Sequence, residues 1–106
     1  MRTPAPKNAM RPVHPGEILR EEFMRPLGVS INALSRAIDV PPNRISGIVN
    51  GTRSITADTA LRLGKFFDTT PETWLNLQSE YDIRVANREL RAKLAPRIRV
   101  FHPAAA

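Results

Sequence analysis

The sequence contains no cysteine, only two histidines, and few aromatic residues, which occupy 6 % of its 106 positions. Without cysteine, the chain can form neither a disulfide framework nor a thiolate metal site. His14 and His102 are separated by nearly the whole chain, and no other metal ligands cluster with them. No HExxH motif, Gly-rich phosphate loop or ordered Ser/His/Asp set is present. We therefore predict a protein that is not an enzyme and that uses no metal and no cofactor.

Long apolar runs are also missing, and the start of the sequence lacks a signal-peptide pattern. We therefore expect a cytosolic protein without a membrane partner. Acidic residues are in deficit, because 16 Lys and Arg stand against 10 Asp and Glu, a net charge of +6. This excess suggests a polyanion such as nucleic acid as the partner, although a soluble protein that is merely basic would look the same. The positive charge is concentrated in residues 1–15 and 84–99.

The length and the 42 % hydrophobic content fit one folded domain. Apolar residues recur with helical spacing, which predicts an all-α fold of five helices. Helix starts are indicated by His14-Pro15, Ser30, Pro42, Thr56 and Thr70-Pro71. The predicted apolar faces of the first, fourth and fifth helices are Ile18, Leu19 and Phe23; Ala60, Leu61, Gly64 and Phe67; and Trp74, Leu75, Leu77 and Tyr81. We assign residues 1–13 to a flexible arm, 14–86 to the domain, and 87–106 to a basic extension.

The segment 30–50 has the pattern of two short helices joined by a tight turn. Ser30 can cap the first helix, and the prolines at 41 and 42 end it, since a residue before proline avoids helical geometry. Pro42 can begin the second helix, and Asn50-Gly51 can end it. The apolar positions that would wedge the two helices together are Leu34, Ile38, Val40, Ile45 and Ile48. This spacing is typical of a helix-turn-helix unit, in which the second helix enters the major groove of DNA.

The outward face of that second helix favours DNA over plain solvent. It is small and polar, and it carries one arginine and no carboxylate, whereas solvated helix faces are usually rich in Glu and Lys. Its predicted base-reading residues are Asn43, Arg44, Ser46 and Gly47. Arg44 could instead contact a phosphate, and Asn43 could instead cap the helix. The predicted phosphate ligands are Ser30, Asn32, Thr52 and Arg53, with Ser30 acting first as a cap.

Residues 30–53 resemble the helix-turn-helix of the phage-repressor (XRE) superfamily. The sequences HPGEILREEFMRPLGVS before this segment and NGTRSITADTALRLGKFFDTTPETWLNLQSEYD behind it are similar to HigA-type antitoxins, also called VapI-like proteins or addiction-module antidotes. The resemblance covers about residues 10–90. It implies a compact five-helix DNA-binding fold that forms a homodimer on a palindromic operator. It also implies repression of its own operon and neutralisation of a RelE-like, HigB-type toxin that cleaves messenger RNA.

Two positions depart from the superfamily pattern. Asp39 stands where glycine is frequent at the turn, and aspartate tolerates the left-handed conformation better than most residues. Ser35 stands where alanine is usual, and it is small enough to keep the helices close. The recognition positions are not shared across the family, so the operator sequence does not follow from the resemblance.

The C-terminal stretch provides candidates for partner contacts. Leu90, Leu94 and Ile98 recur at helical spacing, but Pro96 interrupts a continuous helix through them. With Val85, these residues form the predicted dimer seam, with Trp74 packed beneath. The surrounding basic residues could contact DNA, a toxin or only water. A regulator without a toxin and a protein adaptor with a vestigial helix-turn-helix remain as alternatives.

Overall fold

The computed structural model describes residues 11–104, and within that range the chain forms five helices and no strand. Helix α1 runs through three consecutive segments, Pro15–Ile18, Leu19–Met24 and Arg25–Leu27, and α2 spans Ile31–Ile38. Helices α3, α4 and α5 span Pro42–Val49, Ala57–Phe67 and Pro71–Leu94. The predicted all-α, five-helix architecture is confirmed. Residues 1–10, which make up most of the predicted arm, lie outside the described residues.

Side-chain caps set the helix starts where the sequence predicted them. The His14 Nδ1, Ser30 Oγ, Thr56 Oγ1 and Thr70 Oγ1 atoms accept hydrogen bonds from backbone N–H groups of the first turns of α1, α2, α4 and α5. Pro42 begins α3, whose N-terminal flanking residue Pro41 offers no side-chain cap. These bonds satisfy donors that a helix start otherwise leaves without a partner.

The middle of α1 is a π-helical turn, in which the Arg25 N–H donates to the carbonyl of Arg20, five residues back. Pro26 has no N–H for the carbonyl of Glu22, and its ring would crowd that carbonyl in a regular α-helix. The wider turn relieves this crowding. The helix continues through Pro26 to Leu27 and ends at Gly28, which is left-handed with φ 66°.

The core lies where the five helices meet. Its fully buried residues include Leu19 of α1, Leu34 of α2, Ile45 and Ile48 of α3, Leu63 of α4 and Trp74 of α5. The predicted inward position of Leu61 is wrong, because 61 % of this residue is exposed and Leu63 takes the core position. The indole of Trp74 packs against Phe23, at a ring-centroid distance of 4.9 Å, and donates a 2.8 Å hydrogen bond to Thr69.

The second half of α5 projects from this core. The helix continues without a break past position 87 to Leu94, and Pro96 follows its end, so no continuous helix passes through Ile98, as predicted. Side chains from Ala86 to Ala104 are exposed. Trp74 lies in the first turn of the helix, about 24 Å of helix axis before Leu90. The expectation that Trp74 lies beneath the dimer seam is therefore wrong.

Candidate nucleic-acid interface

Helices α2 and α3 form the predicted helix-turn-helix. Between them Asp39 adopts the left-handed conformation, with φ 59° and ψ 54°, and Val40 donates a backbone hydrogen bond to Ser35. Ser35 is buried, and its hydroxyl donates to the carbonyl of Asn32 at 2.9 Å. Both departures from the superfamily pattern thus fit the turn. Val40, Ile45 and Ile48 are buried as predicted.

One open groove crosses the junction of the two helices. It is lined by Ser30, Ile31 and Asn32 of the α2 start and by Pro42, Asn43 and Ser46 of α3. Two predicted base-reading residues and two predicted phosphate ligands therefore lie on a single surface. Asn43 is exposed, and Pro41 takes the N-terminal flanking position of α3, so the alternative that Asn43 caps this helix is wrong. The start of α2, where a helix carries positive partial charge, lines this groove, a setting that favours phosphate.

Arg44 lies on another side of α3 and has a partner that the sequence does not reveal. Its Nη1 donates to Asp58 Oδ2 of α4 at 2.6 Å, and the same oxygen accepts from Arg62 Nε at 3.1 Å. These two hydrogen bonds lower the pKa of Asp58, so its carboxylate stays ionised. The four-residue spacing of Asp58 and Arg62 is a sequence signal for an ion pair on one helix. The contact between Arg44 and Asp58 joins residues 14 positions apart, and no local pattern predicts it.

The loop after α3 is built around Gly47. The carbonyl of Gly47 accepts hydrogen bonds from the N–H groups of Thr52 and Arg53, at 2.9 and 3.1 Å, and from the Thr52 hydroxyl at 3.2 Å. A Cβ at Gly47 would lie 3.1 Å from Cβ of Arg53. The side of Gly47 that a side chain would occupy thus faces this loop, so the geometry gives Gly47 a packing role, and its base contact stays a prediction. Thr52 and Arg53 are exposed beside the end of α3.

His14 contacts the same loop, with its ring close to Gly51. Its Nδ1 accepts from the Gly16 N–H at 2.9 Å, and its ring packs edge-on against Tyr81 of α5 at 4.8 Å between centroids. Burial lowers the pKa of His14, while Asp82 and a hydrogen bond with the backbone of Arg53 act in the opposite direction. The neutral imidazole is therefore the form that caps α1. The helix start predicted at His14-Pro15 is confirmed, with His14 as its cap.

Other chemistries find little support among residues 11–104. No three residues of the types His, Cys, Asp and Glu come together there in a way that could hold a metal ion. Within the same range, none of the helices combines the length and the apolar character needed to cross a membrane.

Comparisons with known proteins agree with this geometry. The model of a helix-turn-helix family matches residues 19–75. Virulence-associated protein I of Dichelobacter nodosus is 51 % identical over 89 residues, 84 % of this chain and 82 % of that protein. A HigA-family addiction module antidote protein from Coxiella burnetii superposes with a TM-score of 0.83 at 52 % identity, covering 87 % of this chain and 100 % of that one.

A third relative was solved with DNA. The Pseudomonas aeruginosa antitoxin HigA, in a structure with the higBA promoter, superposes with a TM-score of 0.84 at 42 % identity. The match covers 87 % of this chain and all of that one. This family consists of DNA-binding regulators and not of enzymes. The chain belongs to the helix-turn-helix family, in its branch of HigA-type antitoxins.

Proposed function

We propose that this protein is a dimeric repressor that binds a palindromic operator in its own promoter and neutralises a RelE-like, HigB-type toxin in the cytoplasm. The observation that carries the DNA-binding part is the groove at the α2–α3 junction, where Ser30, Asn32, Asn43 and Ser46 meet. The likeness to an antitoxin solved with its promoter supports the same assignment. Arg44 reads bases beside this groove, and Thr52 and Arg53 contact the phosphate backbone.

The two arginines test how the DNA site works. Losing a base contact removes preference for one sequence, whereas losing a phosphate contact weakens binding to every sequence and reduces the salt dependence by about one unit of slope. We expect Arg44→Ala to cost about 1–3 kcal/mol on the operator and little on scrambled DNA. We expect Arg53→Ala to weaken both. The measurement is a salt titration of each variant on a duplex from its own upstream region and on a scrambled duplex.

Equal losses on both duplexes for Arg44→Ala would show that Arg44 contacts phosphate. Base reading would then fall to Asn43, Ser46 and the backbone near Gly47. A wild-type protein that binds the two duplexes equally would contradict the operator assignment itself.

The dimer requires a surface outside the DNA site, because one recognition helix buries too little area for tight specific binding. Helix α5 offers such a surface. Ile83, Leu90 and Leu94 are separated by seven and four residues, so they share one helix face. Their exposed fractions are 62 %, 42 % and 41 %, respectively. Val85 of the predicted seam lies about 140° around the helix from Leu90 and lines a separate pocket with Pro12. Ile98 of the predicted seam is exposed beyond the end of α5 and does not share this helix face. We therefore assign the seam to Ile83, Leu90 and Leu94.

Toxin neutralisation requires a third surface, since a repressor that keeps its toxin bound must leave the recognition face free. We assign the toxin to the N-terminal arm and α1 or to the basic end of α5. The Arg44→Ala variant should therefore retain the toxin when its gene is expressed together with the neighbouring toxin gene and the complex is purified. Loss of toxin from this variant, with the fold intact by circular dichroism, would contradict the separation of the two surfaces. Absence of any toxin gene beside this one would favour the alternative of a free-standing regulator.

A further inference from the structure

A continuous chain of polar contacts connects the helix-turn-helix turn to Arg44. Arg62 of α4 donates through Nη1 to the carbonyls of Ile38 and Asp39, at 2.8 and 3.1 Å, where α2 ends. Through Nε it also donates to Asp58, and Asp58 in turn accepts from Arg44. Three side chains thus tie the recognition helix to the end of α2 through α4. Of these three, Arg44 lies on the recognition helix α3, and Asp58 and Arg62 lie on α4.

This chain of contacts orients Arg44 and leaves several of its N–H donors available for DNA. A guanidinium carries five N–H donors, and only Nη1 of Arg44 is engaged with Asp58. The remaining donors are enough for the two-pronged contact with O6 and N7 of a guanine. An arginine already held in one orientation also loses less conformational freedom when it forms that contact.

Asp58 also changes how Arg44 responds to phosphate. The carboxylate partly neutralises the Arg44 and Arg62 charges, and it is 55 % exposed, so a passing phosphate meets a negative group beside them. A free arginine would bind any phosphate nearby, whatever the sequence. An arginine paired with a carboxylate is a weaker phosphate ligand, while its geometry for reading a base is retained.

We propose that Asp58 is a specificity-determining residue, which positions Arg44 for base reading and suppresses its binding to phosphates of unrelated DNA. This proposal rests on the proposed function as an operator-binding protein. Asp58 does not touch DNA in this role. It acts through Arg44, and Arg62 acts through Asp58.

The test compares Asp58→Asn with Asp68→Asn, on the same operator and scrambled duplexes at several salt concentrations. Both substitutions remove one negative charge from α4 or its end, and asparagine suits the left-handed conformation of Asp68, whose φ is 59°. We expect Asp58→Asn to lower the ratio of operator to scrambled affinity about tenfold. Its affinity for scrambled DNA should rise, with a salt slope steeper by about one unit. Asp68→Asn should keep the wild-type ratio.

A double-mutant cycle separates positioning from general electrostatics. In an Arg44→Ala background, Asp58→Asn should leave the affinity ratio unchanged, because no arginine is left to position. A ratio that still falls in that background, or an unchanged ratio in the single variant, would overturn the proposal. So would an equal gain on both duplexes, which marks Asp58 as a mere repulsive charge. A wild-type protein without operator preference would instead refute the proposed function, and that outcome is seen before any variant is measured.

Discussion

His14 shows how one side chain can connect three parts of this molecule. It caps α1, it packs against Tyr81 of α5, and its ring lies beneath Gly51 in the loop after α3. The cap uses the lone pair of Nδ1, which exists only while this nitrogen is unprotonated. Protonation of the ring therefore competes with the start of α1 and with the support of the loop that presents Arg53.

The lowered pKa of His14 gives a pH dependence of stability with a definite sign. Burial lowers the folded-state pKa below the ordinary value of 6.5, so the unfolded chain binds the proton more readily. The contribution of His14 is complete above that value, and we expect it to be lost as the pH falls from 6.5 toward the folded-state pKa. Urea unfolding of the wild type between about pH 7.5 and about pH 5.5, roughly one unit to either side of the ordinary histidine pKa, measures this loss.

Two substitutions make that prediction specific. Asparagine can still accept the cap hydrogen bond, so His14→Asn should cost only about 1 kcal/mol at neutral pH, for the lost ring contact. It should also flatten the decline of stability toward low pH. His102→Gln removes the other, exposed histidine and should retain the wild-type decline. An equal flattening by both variants would contradict the role of His14.

At this scale, local chemistry could be predicted and distant pairing could not. The caps at His14, Ser30, Thr56 and Thr70 follow from residue type and position, and each forms. The left-handed Asp39 follows from the tight turn. The contact of Arg44 with Asp58 depends on where α4 lies relative to α3, which no spacing along the chain encodes. The same limit applies to Gly47, whose missing side chain makes room for a loop five residues away.

At the scale of elements, α1 crosses the end of α3 at very close range. Gly16 stands where the two backbones meet, and a Cβ there would overlap the carbonyl group of Ile48. That group is backbone, so it cannot turn aside as a side chain could. The crossing packs α1 against α3, and under the proposed function it therefore helps set the angle at which α3 faces DNA.

Substitution of Gly16 by alanine should force these helices apart. We expect Gly16→Ala to lower the free energy of unfolding by about 3 kcal/mol or more, since backbone must move to accept the methyl group. Gly28→Ala is the matched control, because nothing lies within 4 Å of its Cβ position and its cost comes only from φ 66°. A left-handed alanine costs about 1–2 kcal/mol. Equal losses in urea unfolding would show that the α1–α3 contact relaxes freely.

The elements themselves were largely predictable, and the errors have identifiable physical causes. Proline and glycine placed the ends of α2 and α3. Leu61 and Leu63 are two residues apart on a helix with apolar residues on several sides, so spacing alone chose the wrong one. The π-helical turn at Leu19–Met24 arises from Pro26, a residue that usually ends a helix, because this helix widens and continues past it.

At the scale of the whole molecule, the structure is longer than a compact domain of this size. Its extents are 58 × 35 × 26 Å, and its radius of gyration is 17.7 Å, whereas about 13 Å is typical for a compact chain of this length. The second half of α5 and the segment up to residue 104, whose side chains are exposed, fit this elongated shape. A helix of this kind with exposed leucines on one face gains stability when that face is covered. The charge on its other faces, with Arg84, Arg88 and Arg91 around one pocket, argues against burial there.

We propose that a second copy of the chain covers this apolar face of α5, so a charged residue placed on the seam should prevent dimer formation. We expect Leu90→Glu and Leu94→Glu to be monomers near 11.9 kDa in analytical ultracentrifugation at tens of micromolar, while the wild type sediments at about twice that mass. Operator affinity should fall about a hundredfold or more, because the two recognition helices then bind separately. Affinity for a single half-site should stay unchanged.

Leu27→Glu is the matched control, since Leu27 is 65 % exposed and lies at the end of α1, whereas the seam lies on α5. This variant should sediment as a dimer and should keep the wild-type operator affinity. A wild-type monomer at this concentration would contradict the dimer and the palindromic operator together. A Leu90→Glu dimer would move the interface to another face of the molecule and leave the operator symmetry intact.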